Sequence, residues 1–208
     1  MCFSAPASFI AGAALSATGI VTLKQVKKKK EIPLALIPLL FGIQQLIEGF
    51  VWISLGWGMP KFNMIASYGF IFFSHILWPT FVPMAMFAIE PIAWRKKVML
   101  TCAAFGIVAS TYALLEVIVF PVSSQVTCNS IQYLLGSLHL PFFIHAILYL
   151  VATCIAPLFS SHRLIRFFGI VVIIALAISY YFYTVTFASV WCFFAALLSV
   201  IIYFSLKK

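Results

Sequence analysis

FFGIVVIIALAISYYFYTVTFASVWCFFAALLSVIIYFSL, from Phe167 to Leu206, is forty residues without one charged side chain. Wound as helix it would reach ~60 Å, twice the ~30 Å hydrocarbon thickness of a bilayer. It therefore reads as two spans, with the polar Tyr183-Thr184-Val185-Thr186 at the turn between them. The rest of the chain is of the same kind. Of its 208 residues, 64% are hydrophobic and 8% charged, with a mean hydropathy of +1.15. A soluble domain carries about 25% charged residues because its surface meets water. Most of this surface must meet lipid instead.

Further apolar runs place spans at about 5–23, 33–57, 63–89, 98–120 and 133–157, ahead of 167–183 and 186–206. The expected fold is all-α, a polytopic protein forming one seven-helix transmembrane domain over residues 1–208. Seven spans take roughly 140 residues at about 20 each, which leaves no room for a soluble domain. The first run is followed by its positive charges, Lys24 and Lys27 to Lys30, whereas a cleavable signal precedes its apolar segment with them. It reads as a retained helix.

Thirteen Lys and Arg face four Glu and no Asp. The cations form short clusters between apolar runs, which marks topology and gives no reason to expect a nucleic-acid partner. Alternating the connections puts twelve cations on one side and only Lys61 on the other, so the positive-inside rule sets the N-terminus outside and the C-terminus in the cytoplasm. Lys27–Lys30 would touch anionic lipid headgroups. Trp57 and Trp94 fall at span ends, as interfacial aromatics do, while Trp52, Trp78 and Trp191 lie deeper.

Charge inside a span costs roughly 2.5 to 3.5 kcal/mol on insertion scales and so marks an inward, partnered position. Glu48 and Glu116 qualify, and both are candidate catalytic acids. Gln44, Gln45 and Trp52 share the helical face of Glu48, and Tyr112 lies one turn from Glu116. The plainer reading of both acids is a neutral carboxyl tying helices together. His75 and His145 fall at a depth similar to Glu48, and two His with one carboxylate is a ligand set for a divalent metal such as zinc. A lone His in an apolar helix is more often a hydrogen-bonded packing residue, and each reads that way first. His139 lies off the His145 face and is the weaker candidate. Gln44, Gln45, Trp52, Trp78, Tyr112, Tyr180, Trp191 and Cys192 are the candidates for substrate contact. Ser189, Cys192, Ala196 and Ser199 form a small-residue face that reads as close helix packing. Pro79 follows His75 and Trp78, so a helix kink there would either open a cavity or simply bend the packing. The cysteines show no Cys-x-x-Cys spacing; Cys2 and Cys128 fall on the outer side, where a disulfide could join them.

Met1-Cys2-Phe3-Ser4-Ala5, Gln44-Gln45-x-x-Glu48-Gly49-x-x-Trp52, Ser74-His75-x-x-Trp78-Pro79 and Val190-Trp191-Cys192-Phe193-Phe194 together resemble a family of small bacterial multi-helix membrane proteins known as a domain of unknown function. The resemblance runs through most of the chain and implies a bacterial inner-membrane protein. It implies no mechanism. Retinal proteins, with their lysine in the last helix, and ceramidase-like hydrolases, with their Asp, do not fit. Three functions remain. The first is a metal-assisted intramembrane enzyme on a small or lipid substrate using Glu48, His75 and His145. The second is a proton-coupled carrier using Glu48 and Glu116. The third is a ligand-binding or sensory bundle.

Overall fold

The computed structural model describes residues 4–138 and 142–207. Its helices are α1 (Ala5–Lys24), α2 (Lys29–Gly56), α3 (Pro60–Ile89), α4 (Ala93–Val119), α5 (Phe143–Leu158), α6 (Arg163–Phe182) and α7 (Thr184–Leu206). Six are long and apolar enough to cross a membrane, and α5 is a shorter apolar helix. This is the architecture of a helical, multi-pass membrane protein. Large side chains such as Ile107, Ile118 and Ile174 are more than half exposed, which only a lipid surround makes favourable. The turn expected near Tyr183–Thr186 is present as a single 3-10 turn, Thr184–Thr186.

The interior is held by close approach at small residues and by side chains that donate to backbone carbonyls of a neighbouring helix. The α1 helix starts at Ser4, whose hydroxyl accepts from Ala7 N at 3.4 Å, and then lies along α2. A Cβ on Gly19 would stand 2.5 Å from Leu39 N, and one on Gly42 would stand 2.6 Å from Ser16 N. Small residues are what let two membrane helices come this near. In α3 the segment Phe72–Leu77 is π-helical, and Pro79 and Pro83 follow it without N–H groups to return to earlier carbonyls. Counted at the π spacing, Pro79 leaves Ser74 O without its donor, and Tyr149 of α5 donates its hydroxyl there at 2.6 Å; Ser110 of α4 adds a second cross-helix bond, to Ile76 O at 2.6 Å. A second π segment, Val151–Ile155, lies in α5 just before Pro157. π-bulges of this sort recur at functional sites.

One expectation needs correcting. The stretch expected to begin a span at residue 133 opens instead with a β-hairpin, β1 (Ser123–Thr127) and β2 (Ser130–Leu134), paired antiparallel with Thr127 opposite Ser130. Cys128 and Asn129 form its two-residue turn with φ of 49° and 57°, the left-handed pair that twisted two-residue hairpins need. The hairpin stays because its polar groups are bonded to the helices beneath it. Ser124 Oγ accepts from Asn63 Nδ2 at 2.8 Å and from Ser67 Oγ at 3.0 Å, and Tyr133 stacks on Phe70 with ring centroids 4.2 Å apart.

The opposite, lysine-bearing end is latched around the α5–α6 connection. Buried Glu90 accepts from Ser161 N at 2.7 Å, from the Ser161 hydroxyl and from Ile92 N at 3.2 Å. Arg95 reaches Phe159 O and Ser161 Oγ, each at 3.4 Å. Burial pushes the Glu90 carboxyl up, but the Ser161 and Ile92 hydrogen bonds and the Arg95 charge outweigh it and hold the group below the ordinary carboxylate range. A lowered folded-state value makes the stabilisation fully present above the ordinary range and lost as pH falls through the lowered value. Thermal unfolding in detergent is therefore expected to be flat from neutral pH down to about 5 and to drop below about 4. A Glu90→Gln variant should start lower at neutral pH and lose most of that acid slope; an unchanged slope would show that the latch does not carry it.

Candidate functional site

The four polar residues of α2 expected on one face do not all enter one network. Glu48, 2% exposed, accepts from Ser189 Oγ of α7 at 2.5 Å and from Gln45 Nε2 at 3.1 Å. Gln44 accepts from Trp78 Nε1 of α3 at 2.7 Å. Helices α2, α3 and α7 are thus joined at one level by buried polar bonds. Trp52 turns elsewhere and packs with Val51, Ala66 and Ile131 under the hairpin.

This centre has spare hydrogen-bonding capacity. Gln45 Oε1 and Tyr133 Oη are buried with no hydrogen-bond partner among the described residues, although such groups are nearly always satisfied by protein or water. Gln44 Nε2 makes no bond to oxygen or nitrogen and has the Cys192 thiol beside it, a weak acceptor. Tyr133 is an electrostatic neighbour of both Glu48 and Cys192. The hairpin therefore roofs the Glu48 centre and directs a phenol into it.

Below the centre an apolar slot runs toward the lysine end, walled by Phe41, Trp78, Tyr149, Phe168, Trp191 and Cys192 among others. Its free interior is about 40 Å³, room for roughly three waters at ~10–15 Å³ each. Phe41 stacks on Trp78 at 4.0 Å and Trp191 on Phe187 at 5.4 Å. Both π segments border it: Trp78 directly follows the first, and Thr153 in the second lies on the slot wall. Farther along the same helices a roomier cavity of about 200 Å³ opens between Lys28, Lys30, Leu34, Ile89, His162 and Leu206. Fully buried Met86, between Val82 and Ile89 on α3, and Ile202, between Ala195 and Ser205 on α7, close the bundle between the two spaces.

The histidines belong to a second network. His145 Nε2 donates to Ala109 O at 3.2 Å and its ring lies 5.2 Å from Tyr112. His75 Nδ1 shares a 2.7 Å bond with Ser74 Oγ, its ring lies 6.3 Å from Tyr149, and His145 is its electrostatic neighbour. Among the described residues no three His, Cys, Asp or Glu are grouped so as to hold a metal ion. The expected set of Glu48, His75 and His145 is not brought to one point, because equal depth on three helices does not fix which way each side chain turns.

Two other candidates have different surroundings from those expected. Glu116 Oε1 accepts from Leu138 N at 3.2 Å, and Tyr112 Oη donates to Leu138 O at 2.8 Å, so this pair tethers the chain that leaves the hairpin. Tyr180 is 60% exposed and packs edge-on to Phe187, outside the slot. His139 and the Cys2 half of the expected disulfide lie outside the described residues; Cys128 sits exposed at the hairpin turn. Sequence reasoning missed Tyr133 and Asn63 altogether, and took Ser189 for a packing residue.

A family model described as a family of unknown function, DUF6629, matches residues 1–208. The chain belongs to that family. No curated protein and no solved structure matches it, so the site must be read on its own chemistry.

Proposed function

We propose that the chain is a proton-linked carrier of a small, largely apolar solute, spanning a bacterial cytoplasmic membrane seven times with its N-terminus outside. One observation carries the reading. Glu48 is an acid buried among neutral partners, beside polar atoms that lack partners among the described residues, at the head of an aromatic slot aligned with a second cavity at the other end of the same helices. A buried acid of this kind is suited to exchanging a proton for a ligand as the bundle rocks. The twelve-to-one division of cations supports the orientation. The donors that a metal-assisted enzyme would need sit in two separate networks among the described residues, which favours the carrier.

Aromatic walls beside a carboxyl favour an organic cation, and tetramethylammonium, compact and permanently charged, is the probe that suits a slot with room for about three waters. Proteoliposomes with an imposed pH gradient are expected to accumulate it several-fold, and collapse of the gradient or a Glu48→Gln substitution should abolish the accumulation. Uptake that ignores the gradient, full uptake by the variant, or no binding and no uptake at all would each overturn the proposal.

A further inference from the structure

The cavity at the lysine end is built differently from the slot, and its lining specifies a different ligand. One wall is apolar: Leu34 and Ile165 are buried there, with Ile89 and Leu206 beside them. The other wall carries the exposed side chains of Lys28 and Lys30, with His162 beside them; Ser205 also lines it but donates its hydroxyl to Ile202 O at 2.7 Å. Glu31 also lines the cavity, but it and Glu90 are engaged within the protein. Glu31 Oε2 accepts from Lys27 N at 3.0 Å and Lys28 N at 3.2 Å, while Glu90 is held by Ser161. Net positive charge therefore remains at the mouth, and Lys207 adds to it from the end of α7. The pocket is formed by four chain segments that meet where the helices end, the level at which lipid phosphates lie. Basic pockets between membrane helices on the cytoplasmic side are recognised headgroup sites.

We infer that this cavity binds the phosphate of an anionic membrane lipid, with Lys28, Lys30 and His162 on the phosphate and the first acyl carbons against Leu34, Ile165 and Leu206. The site is a defined cavity and not a diffuse attraction to the whole Lys27–Lys30 run, because Lys27 and Lys29 do not line it. It is independent of the carrier reading and would stand if that reading failed.

The test is native mass spectrometry of the delipidated full chain titrated with phosphatidic acid, phosphatidylcholine or inorganic phosphate. One phosphatidic acid should bind with preference over phosphatidylcholine. A Lys28→Gln, Lys30→Gln variant should bind it about 30-fold more weakly, since each lysine near the surface contributes about fivefold. A Lys27→Gln, Lys29→Gln variant, with the same loss of charge, should weaken binding by less than about threefold, on the expectation that charge away from the cavity acts only through the screened surface field. Equal weakening by both variants, or equal binding of phosphatidylcholine, would overturn the site. Saturation by inorganic phosphate with no added affinity for the lipid would assign the phosphate to a soluble source and overturn the lipid assignment.

Discussion

A Gly106→Ala substitution is expected to remove most of the folded protein from the membrane, although it adds a single methyl group. Gly106 lies on α4 where that helix crosses α3, and a Cβ built there would stand 1.9 Å from Pro79 O and 2.6 Å from its carbonyl carbon. Pro83 has no N–H to bond that carbonyl, so it projects from α3 toward the one position on α4 that has no side chain. Neither contact atom belongs to a flexible side chain, and relief requires the two helix axes to separate. Inserting one methyl into a packed site costs typically 1 to 3 kcal/mol, and this contact belongs at or above the top of that range. Separation would also break the Ser110 to Ile76 bond on the same interface. Two controls sharpen the prediction. Gly56→Ala meets nothing within 4 Å, and Gly69→Ala meets only the Ile47 side chain, nearest at 3.3 Å. Both should accumulate near the native level, measured by fluorescence-detected size exclusion of the solubilised chain. A Gly106→Ala protein as abundant and as heat-resistant as these controls would show that α3 and α4 are less tightly joined than their backbones imply.

The membrane helices were legible in the sequence for the reason that makes lipid a demanding solvent. A spanning segment must satisfy its backbone internally and present apolar side chains, so Phe167 to Leu206 could hardly be anything else. The hairpin was hidden by the same property. Ile131, Tyr133 and Leu134 are as apolar as the helix that follows, and the turn at Cys128-Asn129 lacks the Asn-Gly or Asp-Gly pair that announces a hairpin. In the site, Gln44, Gln45 and Glu48 stood out because polar side chains are costly in an apolar helix. Ser189 did not, since a serine among alanines on α7 reads equally well as a small residue for close packing. Tyr133 reaches Glu48 only through the hairpin's placement over α3, which no local pattern encodes. His75 and His145 were matched with Glu48 by depth alone, and depth along a helix leaves its rotation undetermined. Their partners turned out to be Ser74 and the Ala109 carbonyl.

Replacing Glu48 separates its two roles, holding α2 to α7 and carrying a proton. Glu48→Leu leaves Ser189 Oγ and Gln45 Nε2 buried without their acceptor, and each orphaned group costs about 1 to 3 kcal/mol. Couplings measured inside membranes are smaller, averaging ~0.6 and reaching ~1.7 kcal/mol, so a total loss of about 2 kcal/mol is expected in mixed-micelle unfolding. Glu48→Gln should lose less than about 1 kcal/mol. Its amide oxygen still accepts from Ser189, and its new N–H can be taken up by Gln45 Oε1, which has no partner among the described residues of the native chain. The functional effect should run the other way, because an amide cannot exchange a proton. Trp78 and Trp191 wall the slot next to this centre and report on it by fluorescence. In nanodiscs the native chain is expected to change its tryptophan emission with pH as Glu48 takes up its proton, while the well-folded Glu48→Gln protein should give a flat response. Glu116→Gln should keep the native response, since Glu116 is bonded to Leu138 N and not to Glu48. A pH response that survives Glu48→Gln and disappears with Glu116→Gln would transfer the proton to the α4 acid and leave Glu48 as a helix tie alone.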